Sequence, residues 1–161
     1  MTIRLVLFSL IVTLYGWLAW RFWFVCGDAF ISFRYARNWA SGAGLRYNIG
    51  DMGPVEGYSN LLWVMLCALV ELAGADPVRV MPALSMVAGA GLLWLLFSAL
   101  QRAVPLPLAT LCTAAVAVFP PFFVWGTGGL ETMLYALLLF ALIDRLFLSA
   151  RSRATVALDL S

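Results

Sequence analysis

The side chains in this sequence that could do chemistry fall mostly in one stretch. Between Cys26 and Trp63 the chain gathers Asp28, Asp51 and Glu56, three of its eight acidic residues, with Arg34, Arg37 and Arg46. Glu131 stands apart as the only acidic residue between Asp76 and Asp144, in surroundings that are close to continuously apolar. A carboxylate can take the proton of an attacking hydroxyl. Guanidinium groups can hold a phosphate through charge-assisted hydrogen bonds. Each position also has a structural use. Asp28 can cap a short helix, and Glu131 can sit at a helix start and interact with its dipole. Asp51 and Glu56, in a glycine-rich loop, can simply be solvated. All ten basic residues are Arg and the chain has no histidine, which removes the imidazole options for acid–base or metal work. Cys26, Cys67 and Cys112 are far apart and lack metal or redox spacing. Cys67 and Cys112 read as packing residues, and no structural disulfide is expected.

The elements that must position these groups are membrane helices. Apolar residues make up 64% of the chain and charged residues 11%, against roughly half and a quarter in soluble domains. Several apolar runs approach the roughly 17–25 residues that cross a bilayer. The expected class is all-α: a single multi-pass membrane domain of four to five transmembrane helices, with one amphipathic juxtamembrane helix in a large first external loop. The formal charge of +2, without a dense basic cluster, argues against a nucleic-acid partner.

Residues 3–25 form the first span, an uncleaved anchor rather than a signal peptide, since no A-x-A-like site follows it. Trp17, Trp20, Trp23 and Arg21 suit an interfacial belt at its far end. The external loop is 26–60. Within it Asp28 would cap a helix running to about Ser41, ended by Gly42 and Gly44. Ile31, Tyr35 and Trp39 would form one stripe of that helix, and Arg34, Arg37, Asn38 and Ser41 the other, so that it lies on the membrane surface. Residues 43–58 should be irregular. The segment 61–73 is apolar but short, a partly inserted helix. Spans at 80–100, 106–125 and 133–148 follow, and then a polar tail, 149–161. Gly89 and Gly91 read as close helix packing, not as a broken transport helix. The spans also lack the interior polar groups that a transporter or channel needs.

Arginine placement sets the topology. If all five apolar segments crossed from an inside N-terminus, Arg102, Arg145, Arg151 and Arg153 would all lie outside, against the positive-inside bias. If 61–73 does not cross, the same four lie inside, and the polar insert 126–132 joins the loop 26–60 outside. Four crossings are therefore expected, with Asp28 and Glu131 facing one compartment.

Three runs in order, GDAFISFRYARNWASGAGLRYN, PVEGYSNLLW and TGGLETMLYALL, resemble a branch of the C-type (GT-C) membrane glycosyltransferases, nearest to arabinofuranosyltransferase- and mannosyltransferase-like proteins. That branch carries Asp-Asp-Ala-(Phe/Tyr)-Ile-Ser-Phe-Arg-Tyr in its first external loop; the first Asp is Gly27 here. The resemblance implies the N-terminal portion of a longer enzyme of the bacterial cytoplasmic (inner) membrane, with 26–60 on the extracytoplasmic face. Such an enzyme transfers a sugar from a polyprenyl-phosphate donor to an extracytoplasmic glycan, lipid or protein. It further implies Asp28 and Glu131 as catalytic residues, with Arg34, Arg37, Glu56, Tyr58 and Asn60 near the substrates. A divalent cation (Mg or Mn) at Asp28 would be the cofactor. Membrane lipid and a second chain completing the fold are the remaining implied partners. The alternative, favoured by Gly27, is a catalytically inactive remnant that binds a lipid-linked sugar or serves assembly.

Overall fold

Proline, glycine and aromatic side chains decide where the apolar runs become separate helices. The computed structural model describes residues 2–50, 53 and 55–159, with side chains described for 3–50, 53 and 55–147. Asp51, and the side chains of Arg151 and Arg153 used in the topology argument, lie outside the described residues. Seven helices and no strand occur among them: α1 (Thr2–Arg21), α2 (Ala29–Ala40), α3 (Leu61–Leu72), α4 (Pro77–Leu100), α5 (Leu106–Ala117), α6 (Pro120–Trp125) and α7 (Thr132–Asp159). Two of them, α1 and α4, are long and apolar enough to cross a membrane.

Several boundaries differ from the sequence expectation, each for a local reason. The first helix stops at Arg21, not at 25, and the next residues turn away so that Phe22 and Phe24 meet Phe123 and Trp125, with ring centroids 5.5 and 5.8 Å apart. Helix α4 begins at Pro77, three residues before the expected 80, because Asp76 caps it: its carboxylate accepts from the Val78 amide at 3.0 Å, and proline suits the first helical position. The run 106–125 is not one helix. Pro120 and Pro121 have no amide hydrogen to continue α5, and Phe119 before them is extended (φ −68°, ψ 119°). The expected tail, 149–161, is helical through Asp159 as a continuation of α7.

The helix expected in the first loop is α2, and it ends where Gly42 and Gly44 take positive φ (85° and 83°). Its buried face includes the expected apolar stripe but is wider. Ala29, Ser32, Phe33, Tyr35, Ala36 and Asn38 are buried, while Ile31 and Trp39 are only half-buried. Helix α3 packs on α2 here, and the turn at Gly129 lies against Ala29 and Phe33. Asn38, placed on the polar stripe, donates from Nδ2 to the carbonyls of Arg46 and Tyr47 (2.7 and 3.1 Å) and ties the returning loop to the helix. Arg34 and Arg37 are exposed, as expected.

Side-chain contacts give the relative directions. Tyr15 on α1 rests against Gly89 on α4, while Phe8 meets Trp94 and Phe97 at 4.9 and 5.7 Å, so α1 and α4 run antiparallel. Ser85 donates to the Leu130 carbonyl at 3.0 Å, and farther along Arg102 pairs with Asp144, so α4 and α7 run parallel. Helices α5 and α6 make the return between them. Helices α2 and α3 are parallel too, with Ser32 beside Asn60 near their starts and Arg37 paired to Glu71 (3.2 Å) near their ends. The amino ends of α2, α3 and α7 thus meet at one end of the bundle. The start of α1, the end of α4 and Asp144 share the other.

Tyr15 is the tightest joint. Its hydroxyl is buried without a hydrogen-bond partner among the described residues, and a Cβ at Gly89 or Gly126 would collide with it. Close packing was expected at Gly89; at Gly91 a Cβ would make only an ordinary contact with Leu137.

Candidate functional site

The loop between α6 and α7 is the anchor of the site. Residues Gly126 to Gly129 are buried, and three other elements hold this loop through its backbone carbonyls. The Cys26 amide donates to the Gly128 carbonyl (2.9 Å), Trp63 Nε1 to the Gly129 carbonyl (3.0 Å), and Ser85 to Leu130. Gly129 has φ +79°, and a Cβ there would press on the Ala29 methyl at 3.1 Å, so only glycine lets α2 approach this closely. The Glu131 carbonyl then accepts from the Tyr135 amide (2.8 Å) and α7 begins.

On this anchored turn the Glu131 side chain is half-buried and points at α3. Asn60 Nδ2 donates to Glu131 Oε2 at 2.7 Å, between residues 71 positions apart. The same amide reaches Ser32 on α2: Nδ2 lies 3.2 Å from the Ser32 hydroxyl oxygen, and the hydroxyl can donate to Asn60 Oδ1 at 3.4 Å. The Ser32–Asn60–Glu131 chain links three helix starts through side chains. Among the described residues it leaves Glu131 Oε1 available to another partner.

These groups stand at the mouth of a cleft of about 640 Å³ between the first turns of α3 and α7. Ser59, Asn60, Glu131 and Thr132 make its polar end. Leu134, Tyr135 and Leu138 make an apolar wall that runs away from it along α7, and Leu62 on the first turn of α3 adds to the lining. A molecule with a polar head and a hydrocarbon chain matches that division.

The remaining sequence candidates fall around the cleft, not in its lining. Asp28 occupies the position before α2, but its backbone is already helical (φ −67°, ψ −24°) and its carboxylate caps nothing. It is exposed and next to Ala29, hence near the Gly129 turn. Arg34 donates to Asn48 (3.2 Å) and covers the Tyr47 ring at 4.4 Å, and Arg37 pairs with Glu71. Glu56 is exposed, and the Tyr58 ring stands edge-on to Tyr35 at 4.8 Å. Tyr35 is the staple of this loop: its hydroxyl donates to the Val55 carbonyl (2.5 Å) and accepts from the Gly57 amide (2.9 Å). A Cβ at Gly57 would come within 2.9 Å of that hydroxyl.

A divalent cation at Asp28 would need converging donors. Among the described residues no group of three or more His, Cys, Asp or Glu side chains converges as a metal site would require. Asp28 stands outside any such group among the described residues, and the chemistry below is derived from this chain's own side chains. Cys26, Cys67 and Cys112 are free thiols in this structure, with Cys67 buried and the other two half-buried.

Sequence reasoning missed Ser32, Trp63 and Ser85. Ser32 and Trp63 lie inside the runs that carry the family resemblance, but only their partners across the fold reveal a role. Ser85 sits in an apolar helix, and its position facing Leu130 leaves no trace in local sequence.

No family model, curated protein or solved structure matches this chain.

Proposed function

We propose that this chain is a membrane glycosyltransferase, or the N-terminal part of one, that uses a polyprenyl-phosphate-linked sugar. The observation that carries the reading is the Asn60–Glu131 hydrogen bond at the polar mouth of an apolar-walled cleft. It joins the end of the Val-Glu-Gly-Tyr-Ser-Asn run to the Gly-Leu-Glu-Thr run. In the proposed step the acceptor hydroxyl gives its proton to Glu131 Oε1. Its oxygen forms a bond to the sugar's anomeric carbon, and the bond from that carbon to the phosphate oxygen breaks. Polyprenyl phosphate leaves with the electron pair. Asn60 orients the carboxylate, which then acts as general base. The prenyl chain would lie along Leu134 and Leu138. Asp28, at the exposed edge of the same end, is the second acidic group and would face the acceptor. Arg34 and Arg37 are engaged by Asn48 and Glu71, so they would reach the lipid phosphate only by exchanging those partners.

The proposed setting is the bacterial cytoplasmic membrane, crossed four times, by α1, by α4, by α5 with α6, and by α7. Supporting it are the broad apolar surfaces left uncovered on α1 (Leu10, Leu14, Trp17) and α7 (Leu138, Leu142, Phe147), which an aqueous surface does not ordinarily carry. The directions of the helices also support a non-crossing α3, because α4 passes the level of Leu130 again at Ser85.

The test is transfer of labelled sugar from a synthetic polyprenyl-phosphate donor in membranes carrying the native-locus protein. Glu131→Gln should lower transfer by about 100-fold or more at equal abundance. Full activity of that variant would sink the assignment. Donor binding without transfer in the unmodified protein would instead favour the lipid-linked-sugar binding module, the reading that Gly27 supports.

A further inference from the structure

At the end of the bundle opposite Glu131, a second groove of about 320 Å³ opens where the first turn of α1 meets the end of α4. Arg4, Gln101 and Arg102 line its polar side, with Ser98, and Leu5, Trp94 and Phe97 form its floor. No carboxylate lines it. Arg102 is engaged by Asp144 on α7. Arg4 makes no ion pair or hydrogen bond among the described residues, and Arg145, the neighbour of Asp144 in sequence, is exposed. The groove therefore holds one uncompensated guanidinium, a second that is half-neutralised, and a neutral amide donor. Behind the floor Phe8 packs edge-on to Trp94 and stacked on Phe97.

We propose that this groove binds the phosphate headgroup of an anionic phospholipid, with the lipid's first acyl carbons on the exposed side chains of Trp94 and Leu5. Charge decides the occupant. A zwitterionic headgroup would bring its own cation to Arg4, whereas phosphatidylglycerol or cardiolipin brings only negative charge and hydroxyl groups for Gln101 and Ser98. The apolar floor leads directly to the uncovered face of Trp94, so a soluble anion would leave half the groove unused. Basic pockets between membrane helices on the cytoplasmic side commonly take such headgroups, and the arginine distribution assigns this end to that side. The inference rests on the membrane setting proposed above, which alkaline extraction of membranes tests separately, and it does not depend on sugar transfer.

The experiment uses the full chain purified in dodecyl maltoside, titrated with phosphatidylglycerol or phosphatidylcholine, with bound lipid counted by native mass spectrometry. Phosphatidylglycerol should be retained in preference. Arg4→Gln should weaken it by about fivefold, the weight of one Arg at an anionic surface. Arg4→Lys should keep most of the binding, and Arg46→Gln, at the opposite end, should keep all of it. Equal retention of the two lipids would overturn the proposal. So would equal losses in Arg4→Lys and Arg4→Gln, which would mean packing and not charge, or displacement of the lipid by inorganic phosphate, which would mean a soluble-anion site.

Discussion

Asn60 has only one side-chain amide, yet it faces both Ser32 and Glu131. A hydrogen bond to a charged acceptor contributes about 1.5–3 kcal/mol, and here it also selects which carboxylate oxygen stays open. Asn60→Ala should therefore reduce both stability and turnover. A carboxylate displaced by about 1 Å can cost about 100-fold in rate, so a loss of that order is expected in the transfer assay. Ser32→Ala removes only the far support and should cost much less. If Asn60→Ala kept the full rate and thermal midpoint, the relay would be an accident of packing. Asp28 offers the contrast: its carboxylate makes no cap, and no side-chain hydrogen bond or ion pair holds it among the described residues.

At the scale of the helix, the contact between α1 and α4 is set by one bulky side chain and one missing side chain. Tyr15 fills the space at Gly89, with a hydroxyl that satisfies no donor or acceptor. Gly89→Ala should destabilise by about 1–3 kcal/mol through overpacking. Tyr15→Phe should be neutral or stabilising, because it removes a buried polar group that bonds to nothing. Combined, the two changes should cost less than the sum of the singles, since the colliding atom is gone. Thermal unfolding of the four proteins in detergent gives the coupling directly. Strict additivity would mean that α1 and α4 do not meet through Tyr15. The same element scale explains the boundary differences: a proline pair ends α5, and an aspartate cap extends α4 backwards.

For the whole molecule, the segregation of Glu131, Asn60 and Asp28 at one end and Arg4 and Arg102 at the other predicts opposite sidedness. In a cysteine-free background (Cys26→Ser, Cys67→Ala, Cys112→Ala), Ser59→Cys should react with an impermeant thiol reagent on intact cells. Gln101→Cys should react only after permeabilisation. Labelling of both from outside would refute the four-crossing arrangement, and so would reversal. Release of the protein from membranes by alkaline carbonate would refute membrane crossing altogether.

The helical class, the polar stretch 26–60 and the isolation of Glu131 were legible in the residues alone, because composition and apolar run length are local quantities. So were the end of α2 and the break before α4, where Gly42, Gly44 and Gly74 act on their own backbone. The full width of the buried face of α2 was not legible, since Ala29, Ser32, Phe33 and Ala36 look unremarkable until α3 and the Gly129 turn pack around them. Nor was the division between Glu131 and Asp28, two acidic residues at helix starts. A side chain's role depends on what reaches it, and Asn60 reaches Glu131 only because Trp63, Ser85 and Cys26 together hold the Gly126–Gly129 turn in place. Such pairings span dozens of residues and follow from packing, so only the tertiary structure could decide them.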